Sequence, residues 1–268
     1  MIRLYTEKDF EKMRQAAEIL CQTHLAIKKV IRVGITTKQL DDFANRFIVD
    51  HKGAIPAQLG YGGFPYTLCI SVNDEICHGF PGDYVLKEGD LVSIDNVIEY
   101  NGGLADSCWS YAIGELSDRD QKLMDVTLES LNKSIDQAVP GNRIGDIGHA
   151  IQEYAEVENN FSVIRDFIGH GIGKEMHEDP QVPHYGKANH GQRIQAGMVF
   201  TIEPMIASGK WPMKLDDNGW VARTQDGSTC AQFEHQLIIH EDGPEIITDQ
   251  SKYALTEDDI EFIENYKF

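Results

Sequence analysis

Two stretches of this chain share one frame. Gly89-Asp90-Leu91-Val92-Ser93-Ile94-Asp95 and Gly197-Met198-Val199-Phe200-Thr201-Ile202-Glu203 both read as glycine, any residue, two apolar residues, a hydroxyl, isoleucine and an acid. A His-Gly pair lies upstream of each, His78-Gly79 and His170-Gly171, and a further acid lies downstream, Asp106 or Glu234. The order constrains the fold strongly. It describes two related halves, each supplying a histidine and two carboxylates. Halves folded face to face bring those groups to one shared centre.

The pattern of elements also repeats. Phe10, Met13, Ala17, Leu20, Ile27 and Ile31 keep helical spacing, which predicts a helix from Thr6 to about Ile31, opened by a Thr6/Asp9 cap and stopped by Gly34. A second helix is expected over 37–52. A glycine- and aromatic-rich loop follows at 59–65, then strands at 67–72, 91–100 and 104–113, the last two joined by the hairpin signal Asn101-Gly102-Gly103. The second half gives helices at 118–138 and 144–157 and strands at 161–168, 198–206 and 231–240. A long loop is expected over 177–195, and a terminal loop and short helix over 253–268. The whole chain, 1–268, reads as a single domain of the α+β class.

Acids outnumber bases, 43 to 24, for a net charge of −19, which argues against a dedicated nucleic-acid or anionic-membrane binder. The five cysteines form no CxxC pair and no signal peptide is visible, so a reducing cytoplasm is the expected setting. No apolar run reaches the 18 or so residues needed to span a bilayer.

Asp95, Asp106, His170, Glu203 and Glu234 form a set of four carboxylates and one imidazole. Carboxylates gathered in apolar segments repel one another unless a counter-charge joins them. Two divalent cations supply it, and a ligand set this rich in oxygen fits Mn, Fe or Co, with Zn also accommodated. Water activated by such ions is a nucleophile at neutral pH, leaving His78 and His177 free to bind substrate or move protons. Each residue alone has a plainer reading. Asp106 could cap a turn, Glu203 could end a strand before Pro204, and Cys69 and Cys77 could be small buried hydrophobes. The joint pattern, ordered twice, outweighs them.

The stretches Cys69–Pro81, Val92–Asp95 with Asp106, Gly169–Gly173, His177–Val182, Phe200–Met205 and Ala231–His235 resemble those of type I methionine aminopeptidases of bacterial kind. That resemblance implies a pita-bread fold: a curved, mostly antiparallel sheet with two helix pairs on its outer face and pseudo-twofold symmetry. It implies removal of the initiator methionine from nascent polypeptides when the next residue is small, by a water or hydroxide bridging two metal ions. Asp95, Asp106, His170, Glu203 and Glu234 match the family's metal ligands, with Glu203 also the acid/base. His78 and His177 match the histidines on the scissile amide. Tyr61, Phe64, Cys69 and Trp220 match the methionine pocket. A monomer is expected; Lys28, Lys29 and Arg32 or Lys210 and Lys214 are candidates for transient ribosome contact, although a solvated surface is their plainer reading. Because Ile2 is bulky and β-branched, Met1 is expected to be retained.

Three departures bear on pocket shape and inhibitor response: Leu104-Ala105 precede Asp106 where relatives have His-Gly, Gln58 stands for a frequent cysteine, and Met176 for an aromatic. Two other readings are open. A prolidase or proline-specific aminopeptidase shares this fold with an added N-terminal domain, whereas this sequence starts directly with the catalytic half. A non-catalytic binding relative would have lost ligands that are all present here.

Overall fold

The computed structural model describes residues 2–268; Met1, expected above to be retained, lies outside them. The chain runs α1 (Glu7–Val30), α2 (Thr37–Asp50), β1 (Ile55–Pro56), β2 (Cys69–Val72), β3 (Glu75–Cys77), β4 (Leu91–Tyr100) and β5 (Gly103–Ala112). The second half runs α3 (Asp118–Ile135), α4 (Ile144–Gln152), β6 (Ser162–Val163), β7 (Gly169–Gly171), β8 (Glu178–Val182), β9 (Val199–Ile202) and β10 (Met205–Ala207). There follow β11 (Met213–Leu215), β12 (Ala222–Thr224), β13 (Cys230–Gln232), β14 (His235–His240), β15 (Gly243–Ile246) and α5 (Glu257–Asn265).

Helix starts follow local chemistry. The Asp9 carboxylate accepts from the Thr6 N–H at 3.0 Å, and Thr36 and Gln39 exchange side-chain and backbone bonds at the start of α2. Such caps satisfy amides that the helix itself leaves unbonded. The β4–β5 hairpin turns on Asn101 and Gly102, whose φ values of 53° and 75° match the expected tight turn.

All strand ladders are antiparallel. β4 carries β1, β2 and β5 in the first half, and β15-β14-β9-β7-β8 form the main ladder of the second. Alternation along a strand sends successive side chains to opposite faces. On the outer face Ile70, Val92, Ile94 and Tyr111 meet Ile27, Leu40, Phe43 and Phe47 of α1 and α2. Phe200, Ile202, Leu237 and Ile239 likewise meet Leu123, Val126, Ile147 and Ile151 of α3 and α4. Burying a side chain such as Phe43 or Leu20 stabilises the fold by roughly 1.5–3 kcal/mol. The inner face is left for chemistry. The C-terminal α5 closes the first half, with Phe262 and Tyr266 against Phe43.

Several expected elements are corrected. The strand expected over 161–168 pairs only at Ser162 and Val163, and Asp166 beyond it is exposed. The strand expected over 198–206 is β9 and β10, broken at Glu203-Pro204, and that over 231–240 is β13 and β14, broken at Phe233-Glu234. The loop expected over 177–195 begins with a strand, β8, which tolerates Pro180 because it lies at the sheet edge. The second helix of that half leaves α geometry after Gln152 and ends in a π-helical turn over Glu153–Glu158. The short strands β1, β3, β7, β11, β12 and β15 lie outside every expected strand.

Candidate metal and active site

The β4–β5 register explains the first pair of acids. Asp95 lies opposite Cys108 and Val97 opposite Asp106, so both carboxylates share the inner face as diagonal neighbours. The breaks in the second half explain the other pair. Ile202 faces His235 on one side of the break and Met205 faces Gln232 on the other, the same register, which leaves Glu203 and Glu234 opposite each other in the gap. The halves are tied at this point. The Glu234 N–H donates to the Cys108 carbonyl at 2.8 Å, the Ser107 hydroxyl to the Glu234 carbonyl at 2.9 Å, and the Asp106 N–H to Gln236 Oε1 at 2.9 Å.

His170, on β7, completes the group. Its Nε2 is 3.7 Å from Asp106 Oδ2 and 3.6 Å from Glu203 Oε1. Asp106, His170 and Glu234 each offer a ligand atom, all within 4.8 Å of one another. Glu203 is oriented by the Thr201 hydroxyl, which donates to Oε1 at 2.9 Å, and by Gln232 Nε2 at 3.3 Å from Oε2.

Burial dominates the electrostatics. It pushes the Asp95 carboxyl up to about 7 and Glu203 up to about 8, and holds Asp106 and Glu234 well above the usual carboxylate range, with the neighbouring acids adding to the rise in all but Asp95. Burial also lowers His170 to about 4, so its imidazole is neutral and able to act as a ligand. Asp95 Oδ1 is buried with no hydrogen-bond partner. Among the described residues lining the cavity there is no lysine or arginine. Four clustered carboxylates, an orphaned oxygen and no protein cation fit divalent metal ions in an oxygen-rich site.

The cluster lies in a cavity of about 670 Å³. Tyr61, Phe64, Cys69 and Trp220, expected as a side-chain pocket, all line it, as do His78 and His177. Phe64 meets Trp220 edge-on with ring centres 5.3 Å apart. His78 packs edge-on against Phe167 at 5.4 Å and Trp220 at 6.3 Å. His177 stands 4.2 Å from the His170 ring, and its Nδ1 is 3.0 Å from the Tyr61 hydroxyl. Of the departures, Gln58 is buried beside Cys69, its Nε2 3.6 Å from the thiol sulfur, and Met176 is buried at the cavity wall. Lys28, Lys29, Arg32, Lys210 and Lys214, the candidates for ribosome contact, do not line the cavity.

Sequence reasoning missed the supporting residues. Thr201 and Glu203, and Gln232, Glu234 and Gln236, alternate along their strands, and polar residues at period two inside apolar segments are a readable sign of one polar face. His184 carries no such signal. It is fully buried, and its Nε2 accepts from the Glu203 N–H at 3.3 Å.

The model of metallopeptidase family M24 matches residues 11–241. The chain belongs to metallopeptidase family M24. Within that family it is 48% identical over 248 residues to methionine aminopeptidase 1 of Bacillus subtilis, covering 92% of this chain and 99% of that protein. The crystal structure of methionine aminopeptidase from Rickettsia prowazekii superposes with a TM-score of 0.90 at 42% identity, covering 92% of this chain and 100% of that one. A prolidase from Pyrococcus furiosus, at 21% identity, has a TM-score of 0.72 and shares the fold; this chain covers 65% of its length. The fold is thus the pita-bread arrangement of family M24, and the chain is a hydrolase of that family. No helix among the described residues is long and apolar enough to cross a membrane.

Proposed function

We propose that this chain is a metal-dependent methionine aminopeptidase that removes the N-terminal methionine of nascent polypeptides when the second residue is small. The observation that carries this reading is the carboxylate–imidazole cluster lying in a cavity walled by Tyr61, Phe64, Cys69 and Trp220. The identity to methionine aminopeptidases over nine-tenths of the chain supports it.

Asp95, Asp106, His170, Glu203 and Glu234 would hold two divalent ions, with Mn, Fe, Co and Zn all compatible with the donor set. Bound there, the ions supply charge compensation, Lewis acidity and an activated water. Glu203, held by Thr201 and Gln232, takes and returns the proton of the attacking water. His78 and His177 hydrogen-bond the scissile amide and stabilise the tetrahedral intermediate. Tyr61, Phe64, Cys69 and Trp220 enclose the methionine side chain, whose transfer from water is worth roughly 1.5–3 kcal/mol. Residues 1–268 act as one catalytic unit, monomeric and cytoplasmic, with transient ribosome contact.

The test is hydrolysis of Met-Ala-Ser against Xaa-Pro peptides, with and without chelator. Release of methionine that chelation abolishes and Mn restores is the expected result. Preferential cleavage of Xaa-Pro, or full activity in metal-free protein, would overturn the reading.

A further inference from the structure

The turn that carries His177 is fastened from behind by the segment preceding α1. Between β7 and β8 the chain passes through Gly173, Lys174, Glu175 and Met176. Glu178 accepts four hydrogen bonds there: Oε1 from the Lys174 N–H at 3.0 Å, the Glu175 N–H at 2.9 Å and Arg3 Nη1 at 2.7 Å, and Oε2 from the Tyr5 hydroxyl at 2.8 Å. The Tyr5 hydroxyl also accepts from the Lys174 N–H at 2.9 Å. Its ring lies so close to the turn that a Cβ on Gly173 would come within 2.1 Å of it. Tyr5 is itself fixed by its N–H, which donates to the carbonyl of Gly197 at 2.8 Å, at the start of the second copy of the repeated frame. Met176 seals the turn from the same side, buried in a cluster that includes Phe10, Met13 and Ile172, with Tyr5 packed against it.

On the front of this turn is His177, against Tyr61 and His170. Its backbone is thus set by Tyr5, which does not line the cavity, and by Glu178, which lines it but spends its carboxylate on the turn. A carboxylate that collects two consecutive backbone N–H groups and a phenol holds a tight turn in one conformation, because each donor it releases must find another partner.

We propose that Glu178 and Tyr5 are positioning residues for His177, so that the segment Arg3–Tyr5 is mechanically part of the active site. This rests on the role given to His177 under the proposed function. With the clamp released, the turn relaxes and His177 leaves its place over the cavity; displacement of a catalytic group by about 1 Å is enough to cost on the order of 100-fold in rate.

The experiment is a double-mutant cycle on the Mn-loaded enzyme with Met-Ala-Ser as substrate. Glu178→Ala should lower kcat by roughly 10–100-fold with unchanged metal content. Glu178→Gln, which keeps an acceptor for the two amides, should recover most of the rate. In a His177→Ala background, Glu178→Ala should cost less than about twofold, the non-additivity expected of residues acting through one another. Tyr5→Phe removes a single hydroxyl and gives the same cycle if Glu178→Ala does not fold. Equal losses in both backgrounds, or an unchanged kcat in Glu178→Ala, would overturn the proposal. A His177→Ala enzyme with full activity would instead remove the role assigned to His177, and this inference with it.

Discussion

Loading metal into the metal-free protein should expel protons, and their number follows from the cluster. Burial and the neighbouring acids hold Asp106 and Glu234 well above the usual carboxylate range. At pH 7 Glu203, pushed up to about 8, is mostly protonated, and Asp95, at about 7, is half so. The groups titrate together as a cluster: Glu203 and Asp95 alone hold about one and a half protons at pH 7, and Asp106 and Glu234 add to that. Metal ions bind the ionised ligands, so saturation with Mn should release at least about one and a half protons at pH 7 and about two at pH 6 from Glu203 and Asp95, with Asp106 and Glu234 adding to both. Four carboxylates with ordinary pKa values would release almost none. Calorimetric titration in buffers of different ionisation enthalpy gives the number directly, as the slope of observed heat against buffer heat. A proton number that fails to rise from pH 7 to pH 6 would refute the electrostatic account, because a proton lost by metal-bound water does not increase as pH falls. The same shifts fix a stability trend. A carboxyl raised in the folded state is favoured when protonated, so its contribution is full below the unfolded pKa and is lost as pH rises through the folded one. Metal-free protein should therefore lose stability between about pH 4 and pH 8, by about 1.4 kcal/mol per pH unit for each extra proton the folded state holds. Mn should flatten that dependence, as thermal melts at pH 6 and pH 8 would show.

His78→Ala should leave metal content unchanged and lower kcat by roughly 10²–10⁴-fold, whereas His170→Ala should weaken metal binding and be partly rescued by excess metal; metal analysis beside steady-state kinetics distinguishes them. Met-Ala, Met-Gly and Met-Ser peptides should be cleaved and Met-Leu should not, so equal turnover of Met-Ala and Met-Leu would defeat the selectivity proposed. Away from the site, Arg14 forms two hydrogen bonds to Glu245, which His240 also contacts, and these bonds lower the Glu245 carboxyl to about 2. A depressed carboxyl contributes above its unfolded pKa and loses that contribution as pH falls through the folded value. Glu245→Gln should therefore cost about 1 kcal/mol at pH 7 after allowance for solvent screening, and almost nothing near pH 2, measured by urea denaturation.

What was legible in the sequence was whatever local pattern alone decides. The five ligand-type residues were readable because carboxylates in apolar strands are costly without a partner. Helices α1 to α3 were readable because caps and apolar stripes agree. The rest depended on contacts made far along the chain. The apolar run after Phe161 resembles a strand, yet its neighbour β10 is only three residues long and pairs with two of them. Strands at Glu203 and Glu234 stop pairing where two buried acids face each other across the register. Nothing local gives Glu178 a role; its importance to the turn comes from Arg3 and Tyr5, more than 170 positions away.

The repeat accounts for the shared centre, and its imperfection accounts for two different histidines. Gly79 and Gly171 play the same part in each half: a Cβ at either would lie 2.1 Å from a backbone carbonyl, that of Ile70 or of Asp179. The close packing after each histidine therefore survives in both halves. The histidines themselves diverge in backbone. His170 is extended within β7 and projects between Asp106 and Glu203, while His78 follows the end of β3 with φ at 56°, the left-handed region, and sits among Phe167 and Trp220. A non-glycine residue there costs of order 1–3 kcal/mol and persists only where its surroundings fix it. On the proposed reading, that conformation turns the first half's histidine away from the ions and toward the peptide. One half then contributes an imidazole ligand and the other an imidazole for the substrate, a division of labour that a symmetric pair could not provide.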